Sequence, residues 1–554
     1  MTVDSGNGFP GIDGVVPWPD EAARRYVELG LWRERPLGSY LWDWADRWSD
    51  RIALVDGDTR LTYVELASKA DGLAESLADL GFKRGDTVLV QLPNTWEFVV
   101  VTLALFRLGV APVMMLPPHR EYELASIGAH VKAKALFVPD TWKGYDHQEL
   151  AHQVVAQLDS PAQVLVVGDD VRESSVDVRA LIGDVGRSEW LDDNGPTGTD
   201  VAVFLLSGGT TGVPKVISRT HNDYEYNIRM VARACAFGPD TVYLAVLPAG
   251  HNFPLANPGI LGALYTGGRA VMLSSPRPDA VFEAIEHEGV TATSAVPAVA
   301  LKWMEEAPAS GRDLSSLRFV HVGGSVLAPE VAAQIGPALG CTLQQVYGMA
   351  EGLICYTPVD ASDDVAHGTQ GAPVSEFDEL LLVDEDGNEV APGEIGELLT
   401  RGPYTPRGYF GVPAVNAVSF TEHGWYRTGD LVRCTPEGNL IVCGRVKDLI
   451  NRGGEKISAG EIETLVQELP EVAEAAAVAS PDPLVSERVY LFVSLHPGRT
   501  LTLPQVAEAL TARGLAAFKI PELFEVLDDL PHTAVGKPDK KALRALLADR
   551  RAAA

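Results

Sequence analysis

One segment of the sequence combines glycines, hydroxyl side chains and a single lysine between two apolar stretches. It reads Ser207-Gly208-Gly209-Thr210-Thr211-Gly212-Val213-Pro214-Lys215. Glycines let backbone N–H groups approach a phosphate closely and adopt the φ > 0 conformations that such loops need. Hydroxyl groups donate hydrogen bonds to phosphate oxygens, and the lysine adds positive charge. The segment is therefore predicted to bind a polyphosphate.

This segment differs from the P-loop of ATPases and GTPases, where G-x-x-x-x-G-K-[ST] places the lysine directly after a glycine. Here Val213 and Pro214 separate Gly212 from Lys215, and Val216 stands where a Mg²⁺-binding hydroxyl is required. We interpret the segment as a phosphate-binding loop of another kind. The alternative is a mobile surface loop that binds no ligand.

The elements that must position this loop follow an α/β pattern. The apolar run 201–206 predicts a buried strand immediately before the loop. Between residue 51 and about residue 403, similar runs alternate with helical patterns, for example at 87–92, 135–138, 164–167, 270–273 and 319–322. Such alternation predicts α/β layers with largely parallel sheets, and the length of the region predicts more than one core.

The pattern changes near residue 445, where a smaller α+β unit is predicted to begin. A capping box at Ser458–Glu461 precedes a helical run that stops at Pro470, and a strand is predicted at 489–493. A second helix begins at Pro504. This tail of roughly 110 residues is large enough for a separate domain. The expected division is residues 1–445 for the large domain and 446–554 for the small one.

Composition excludes several classes of partner. The chain has 554 residues and a formal net charge of −30, which disfavours binding to nucleic acid or to an anionic membrane. The five cysteines show no C-x-x-C spacing, and the first residues lack the features of a signal peptide. The apolar stretch 98–106 is interrupted by Arg107 and is too short to span a bilayer. We therefore expect a cytoplasmic protein that binds neither nucleic acid nor membrane.

Further motifs follow the loop in a fixed order. They are Tyr347-Gly348-Met349-Ala350-Glu351, Tyr426-Arg427-Thr428-Gly429-Asp430, Gly444-Arg445-Val446-Lys447-Asp448 and Gly536-Lys537. In this order the sequence resembles the adenylate-forming superfamily over nearly its whole length. His251-Asn252-Phe253-Pro254-Leu255, Trp18-Pro19 and Asn451–Lys456 are similar to stand-alone aryl-acid adenylating enzymes of the 2,3-dihydroxybenzoate or salicylate type. The resemblance implies a large domain of layered α/β subdomains and a small mobile α+β domain.

The resemblance also implies a reaction in two halves. A carboxylate attacks the α-phosphate of ATP in the presence of Mg²⁺, which gives an acyl-adenylate and pyrophosphate. A phosphopantetheine thiolate then takes the acyl group and releases AMP. The expected acceptor is an aryl carrier protein acting in trans, since no carrier motif follows Lys541, in siderophore or non-ribosomal peptide biosynthesis. The alternative is an aryl-CoA ligase that uses free coenzyme A.

Roles at the nucleotide are carried over from the family onto matching positions. Lys537 is expected near the substrate carboxylate and the α-phosphate, where a cation stabilises developing negative charge. Ser207, Thr210 and Thr211 are expected to hold the β- and γ-phosphates, together with the backbone of Gly208, Gly209 and Gly212. Lys215 either adds charge there or remains solvated.

Other motif residues are assigned to the metal, the nucleoside and the hinge. Glu351 is expected to bind Mg²⁺, which prefers carboxylate oxygen. Tyr347, followed by Gly348, is expected against the adenine ring, and Asp430 is expected to accept hydrogen bonds from the ribose hydroxyls. Arg445 either contacts the ribose or forms a structural ion pair. Lys447 stands where the family has its interdomain hinge.

The acid pocket is expected around His251 and Asn252. The Asn252 amide is suited to an ortho-hydroxy carboxylate, and His251 is expected to be a gate or packing residue. Flat walls for an aromatic ring are expected from Phe253, Gly323, Gly324 and Leu353. Asn257 departs from the serine or cysteine that relatives tend to carry, so the acid itself stays open. Salicylate-type acids are favoured, and a 3-hydroxypicolinate or hydroxyanthranilate type is the alternative.

Overall fold

The computed structural model describes residues 11–207, 214–324, 326–327, 329–384, 386–446, 449–531 and 538–553. Two large, mostly parallel sheets form the centre of the N-terminal region. Helices cover both sheets, as the alternation of strand and helix patterns predicted. The strand predicted before the loop extends over Val201–Ser207, one residue further than the sequence indicated.

The first large sheet contains this strand next to an antiparallel edge strand. All its other pairings are parallel. Its strands, in spatial order, are Lys215–Thr220, Val201–Ser207, Ala111–Met114, Thr87–Val90, Ala135–Pro139, Gln163–Val167 and Val176–Asp177.

The second large sheet is parallel in its centre and antiparallel at both edges. Its strands, in spatial order, are Ala372–Pro373, Ile354–Tyr356, Thr342–Gly348, Phe319–Gly323, Ala292–Ala295, Val242–Ala245, Arg269–Met272, Ile52–Asp56 and Thr59–Thr62. A short hairpin of Thr141–Trp142 and Tyr145–Asp146 stands apart from both sheets.

A third, antiparallel sheet follows. It consists of Glu379–Val383, Ile395–Arg401, Tyr426–Cys434 and Leu440–Arg445. The helices of the N-terminal region are Asp20–Glu28, Tyr40–Trp48, Tyr63–Asp79, Trp96–Leu108, Glu121–Val131, His147–Val155, Val178–Leu181, Glu189–Asn194, His221–Ala234, Asn252–Ala256, Gly259–Tyr265, Pro278–Glu288, Pro297–Ser310, Pro329–Leu339, Asp363–Gly368 and Pro413–Ser419.

The helix Trp96–Leu108 lies at the centre of the main core. All its residues after Trp96 are buried, because its sequence is apolar on every side. The one cation in this stretch, Arg107, is buried with its Nε 2.6 Å from Asp71 Oδ1 and its Nη1 2.7 Å from Asp192 Oδ1. The apolar stretch 98–106 is thus a core helix, which agrees with its being too short to span a membrane.

The C-terminal region forms a small sheet covered by helices. Its strands are Glu455–Ser458, Leu449–Arg452, Ser486–Leu495 and Val472–Asp482 in spatial order, with Leu523–Val526 parallel to Ser486–Leu495. Its helices are Ala459–Gln467, Leu503–Ala512 and Lys540–Ala553. Its apolar cores are mostly its own, apart from Tyr122 of the large domain. The molecule therefore has a large N-terminal domain of layered sheets and helices and a small C-terminal domain, which is the architecture that the resemblance implied.

Candidate active site

A cleft of about 1140 Å³ lies between the large and small domains. The carboxyl ends of three strands lie at the edge of this cleft: Val201–Ser207, Phe319–Gly323 and Thr342–Gly348. Open α/β sheets bind their ligands at such strand ends. These strand ends bring together residues that are far apart in sequence. The predicted residues that line the cleft are Ser207, Lys215, His251, Asn252, Phe253, Asn257, Gly323, Gly324, Tyr347, Gly348, Glu351 and Asp430.

One side of the cleft joins an aromatic ring to a carboxylate. Tyr347, near the end of its strand, donates a hydrogen bond from its hydroxyl to Asp430 Oδ2 at 2.8 Å. Asp430 is buried on the strand Tyr426–Cys434, where it stands opposite Arg445 in the antiparallel register. An aromatic face beside an acceptor-only carboxylate suits a nucleoside, whose base stacks and whose ribose donates.

A tyrosine pair surrounds the Glu351 carboxylate. The Tyr409 hydroxyl donates to Glu351 Oε1 at 2.8 Å and lies 3.0 Å from the Tyr426 hydroxyl. Burial, reinforced by the negative charge of Glu351, raises the pKa of both phenols, so they stay protonated as donors. Lys215 Nζ lies 4.3 Å from the centre of the Tyr409 ring. Sequence reasoning assigned no role to Tyr409, because its tyrosine-rich surroundings resemble ordinary core.

Glu351 offers carboxylate oxygens, which suit a hard cation such as Mg²⁺. Mg²⁺ is commonly bound by one or two carboxylates together with phosphate oxygens rather than by an all-protein cage. Within the part of the chain that the structure describes, no group of three or more His, Cys, Asp or Glu side chains could hold a metal ion. The buried carboxylate of Glu351, oriented by Tyr409, fits such a shared site.

The other side of the cleft is a polar pocket under the helix Asn252–Ala256. His251 caps this helix, because its Nδ1 accepts a hydrogen bond from the Phe253 N–H at 3.3 Å. Tyr224 donates from its hydroxyl to Asn252 Oδ1 at 2.8 Å. This bond occupies the amide oxygen of Asn252, so the Asn252 NH₂ group is the part that remains to donate to a ligand.

The orientation of Asn257 is set by a series of hydrogen bonds. Arg219, a donor only, donates from Nη2 to Asn227 Oδ1 at 3.4 Å. The Asn227 NH₂ group must then face Asn257, and it donates to Asn257 Oδ1 at 2.6 Å. The Asn257 NH₂ group in turn faces the carbonyl of Asn252, at 3.3 Å. We name this set the amide series: Arg219, Asn227, Asn257 and the Asn252 carbonyl.

The amide series also reaches the segment that carries Glu351. Arg219 is fully buried and is paired through Nε with Asp223 Oδ1 at 2.5 Å. Its Nη1 donates to the Ala350 carbonyl at 3.2 Å. Arg219 lies near the end of the strand Lys215–Thr220, and Asp223 and Asn227 lie one turn apart in the helix His221–Ala234 that follows it.

An aromatic ring and a glycine form one wall of the pocket. A Cβ on Gly323 would lie 2.9 Å from Val346 Cβ and 3.5 Å from Phe253 Cε1. The absence of a side chain at this position therefore keeps the space between Phe253 and the strand end open.

A hairpin of the small domain lies at the mouth of the pocket. Strands Leu449–Arg452 and Glu455–Ser458 are joined by Gly453 and Gly454, with φ of +59° and +97°. Asn451 Nδ2 donates to the Gly324 carbonyl at 3.1 Å, and a Cβ on Gly324 would lie 3.2 Å from Gly454 Cα. The small domain is thus oriented with its glycine turn at the cleft.

Family models match both parts of this architecture. Residues 41–410 match the AMP-binding enzyme family, and residues 461–537 match the AMP-binding enzyme C-terminal domain. The chain belongs to the AMP-binding enzyme family. AMP-binding enzymes use ATP and Mg²⁺ for adenylation, so this protein is an adenylate-forming enzyme of the ligase class.

Relatives of this AMP-binding enzyme match along its length. A salicylyl-CoA synthase / salicylate adenylyltransferase of Streptomyces sp is 55% identical over 538 residues, covering 96% of this chain and 97% of the relative. A 2,3-dihydroxybenzoate-AMP ligase of Bacillus subtilis (strain 168) is 44% identical, covering 97% of this chain and 98% of the relative. The apo structure of MbtA from Mycobacterium smegmatis superposes with a TM-score of 0.74 at 44% identity, covering 96% and 98% of the two chains.

Some predictions for this AMP-binding enzyme lie beyond what the structure describes. Gly208, Gly209, Thr210, Thr211, Gly212, Lys447 and Lys537 lie outside the described residues, as does the side chain of Arg445. Their roles stay predictions. The two ends of the loop, Ser207 and Lys215, do line the cleft.

One predicted wall residue lies elsewhere. Leu353 is fully buried in a separate apolar cluster with Cys355 and Leu398, and the next residue, Ile354, lines the cleft instead. Successive side chains of an extended segment point to opposite sides, so a placement by motif can miss by one residue. In the ranges that the structure describes, no helix is both long and apolar enough to cross a membrane.

Proposed function

We propose that this enzyme activates an aromatic ortho-hydroxy carboxylic acid as its aryl-adenylate, with release of pyrophosphate. It then transfers the aroyl group from the adenylate to the phosphopantetheine thiol of an aryl carrier protein, with release of AMP. The observation that carries the proposal is the juxtaposition, in one cleft, of the Asn252–Asn257 pocket with the Tyr347–Asp430 pair and Glu351. The names of the two relatives support the acid class.

In the first half-reaction, the pocket orients the acid. An aromatic carboxylic acid is ionised at pH 7, so no base is required to remove a proton. The Asn252 NH₂ group donates to the carboxylate or the ortho oxygen, and the ring occupies the space between Phe253 and Gly323. Holding the carboxylate against the α-phosphate supplies the advantage of proximity.

Charge develops on phosphate oxygens as pyrophosphate leaves. Glu351, held by Tyr409, would bind Mg²⁺ together with nucleotide oxygens, and the ion would neutralise part of that charge. The loop residues Thr210 and Thr211 would hold the leaving diphosphate. Lys537 would contact the carboxylate and the α-phosphate from the small domain. Asp430 would accept hydrogen bonds from the ribose.

In the second half-reaction, the thiolate attacks the acyl carbon and AMP leaves. The Gly453–Gly454 turn packs against Gly324 at the mouth of the pocket, and the thiol arm would enter beside this hairpin. Movement between the two orientations would require a hinge, for which Lys447 is our candidate, and the proposed boundary of the two domains lies at residues 445–446.

Pyrophosphate exchange across a panel of acids tests the proposal. Exchange is expected with salicylate, 2,3-dihydroxybenzoate, 3-hydroxypicolinate or 3-hydroxyanthranilate, and the weakest exchange with benzoate, which lacks the ortho group. Long-chain fatty acids and amino acids should give none. A preference for an aliphatic acid would overturn the assigned acid class.

A second candidate differs only in the acceptor. The relative from Streptomyces sp is named a salicylyl-CoA synthase, which favours free coenzyme A as an acceptor to be tested. Comparing kcat/KM of transfer for coenzyme A and for a phosphopantetheinylated aryl carrier protein separates the two. A higher kcat/KM with coenzyme A would replace the carrier protein in the proposal.

A further inference from the structure

A buried cluster of charges joins the two domains through residues other than those of the glycine turn. Lys519, in the short helical turn Ala517–Lys519 of the small domain, has its Nζ 3.0 Å from Glu461 Oε1 and 3.2 Å from Glu123 Oε1. The side chains of Lys519, Glu123 and Glu461 are 5%, 0% and 3% exposed. Glu461 belongs to the small domain and Glu123 to the large one, so only the Lys519–Glu123 pair spans the interface.

Neighbouring residues add further close contacts between the two domains. The Ala516 N–H donates to Glu123 Oε1 at 3.3 Å, and a Cβ on Gly514 would lie 3.0 Å from the backbone nitrogen of Tyr122. The Tyr122 ring packs against the apolar core of the small domain. These contacts exist only in an orientation that places Gly514–Lys519 over the start of the helix Glu121–Val131.

The charge state of Lys519 follows from its surroundings. Burial alone would lower the pKa of Lys519, but the charges of Glu461 and Glu123 outweigh it and raise that pKa. Lys519 is therefore an ammonium ion at neutral pH. Removing this cation would leave two buried carboxylates close together without their counter-charge, which costs more than exposing them to water. The pair thus stabilises the present orientation relative to any in which the domains separate here.

We propose that Lys519 is a positioning residue that holds the small domain, through Glu123, in the orientation that places the Gly453–Gly454 turn at the cleft. It acts on thiol transfer and not on adenylation. This inference rests on the proposed function for the identity of the two half-reactions. It adds a chemical reason for preferring one orientation, and neither Lys519 nor Glu123 belongs to a motif used above.

The test compares both half-reactions in four variants. Lys519→Met should lower the single-turnover rate of transfer from preformed aryl-adenylate at least about tenfold, with pyrophosphate exchange unchanged or higher. Lys519→Arg should retain most of the transfer rate. Glu123→Gln removes the negative charge and keeps one oxygen that can accept from the Ala516 N–H, although its NH₂ group cannot accept from the Arg120 N–H as Glu123 Oε2 does. It should lower transfer less than Lys519→Met. The double variant Lys519→Met/Glu123→Gln should transfer faster than Lys519→Met alone, because it relieves the repulsion.

A matched control uses an ion pair inside the small domain. Lys540 Nζ lies 2.8 Å from Glu463 Oε1, and Lys540→Met should leave the ratio of the two half-reactions unchanged. The proposal would be overturned if Lys519→Met lowered the rates of transfer and of pyrophosphate exchange equally. It would also be overturned if the double variant transferred no faster than Lys519→Met.

A readout without substrate separates this inference from the proposed function. Hydrogen–deuterium exchange of the peptide spanning residues 514–519 should be faster in Lys519→Met than in the wild type and Lys540→Met, because the Ala516 N–H loses its partner. Faster exchange in a protein that activates no aromatic acid would leave the orientation role standing and remove the proposed function. Unchanged exchange would remove the orientation role.

Discussion

At the scale of single residues, the pocket depends on which way its amides face. An asparagine amide presents an acceptor at one end and two donors at the other, so its orientation decides what ligand it can bind. Arg219 has donors only, and this fact sets Asn227 and then Asn257. The sequence predicted Asn252 and Asn257 as pocket residues, and both line the cleft, while their roles stay predictions.

The amide series leads to a prediction about acid selectivity. Asn227→Ser removes the donor to Asn257 Oδ1, so the Asn257 amide is free to rotate and loses its fixed donor pattern. We expect kcat/KM for the preferred acid in pyrophosphate exchange to fall about tenfold, and KM for ATP to stay the same. Asn194→Ser, at an exposed helix end, is the control and should change neither constant. A parallel rise in KM for ATP would show that the substitution disturbs the cleft as a whole.

At the scale of elements, the hairpin 449–458 of the small domain can approach the large domain closely because its turn consists of glycines. Gly454 has a φ of +97°, and a Cβ there would lie 2.9 Å from Val296 Cγ1 of the large domain. The contact with Val296 follows from tertiary structure alone, because the two residues belong to different domains.

Because of this contact, we expect that adding one methyl group at residue 454 slows transfer of the aroyl group without slowing adenylation. Gly454→Ala should slow transfer from preformed aryl-adenylate at least about tenfold, because the hairpin must retreat from Val296, and should change pyrophosphate exchange less than about twofold. Gly498→Ala is a matched control, since Gly498 has a φ of +76° with no atom within 4 Å of its Cβ position. If Gly498→Ala slows transfer equally, backbone strain and not the contact at the cleft is responsible.

At the scale of the whole molecule, stability should depend on buried neutral histidines. Burial lowers the pKa of His119 and His147 to about 4, and that of His221 and His321 to about 3. The unfolded chain takes up protons near pH 6.5 while the folded chain does not. The contribution of these histidines to the free energy of unfolding is therefore fully present above the pKa of histidine in the unfolded chain. It is lost as the pH falls below that value towards the lower pKa of the folded state.

His321 offers a direct test of this dependence. Its ring is fully buried, with its centre 6.0 Å from that of Phe237 and 5.7 Å from that of Tyr356, so phenylalanine is a close replacement. Between about pH 7.5 and about pH 5.5, the wild type should lose about 1.4 kcal/mol more unfolding free energy than His321→Phe, measured by urea denaturation. The exposed His423→Gln should behave as wild type. Equal losses in wild type and His321→Phe would contradict the prediction.

The sequence by itself determined the α/β class, the alternation of strands and helices, and the plan of one large and one small domain, while the phosphate-binding role of the loop stays a prediction. Strand and helix periodicities and glycine-rich turns are local, so they are visible without knowing what packs against them. The run 87–92 shows the limit, because the strand ends at Val90.

Only the tertiary structure decided that Tyr409 holds Glu351, that Arg219 orients Asn227, that Ile354 rather than Leu353 faces the cleft, and that Lys519 meets Glu123. The physical reason is that each of these depends on a partner distant in the chain or on the side to which a side chain points. Ala516 and its acceptor Glu123 are 393 residues apart, and no local pattern encodes such a contact.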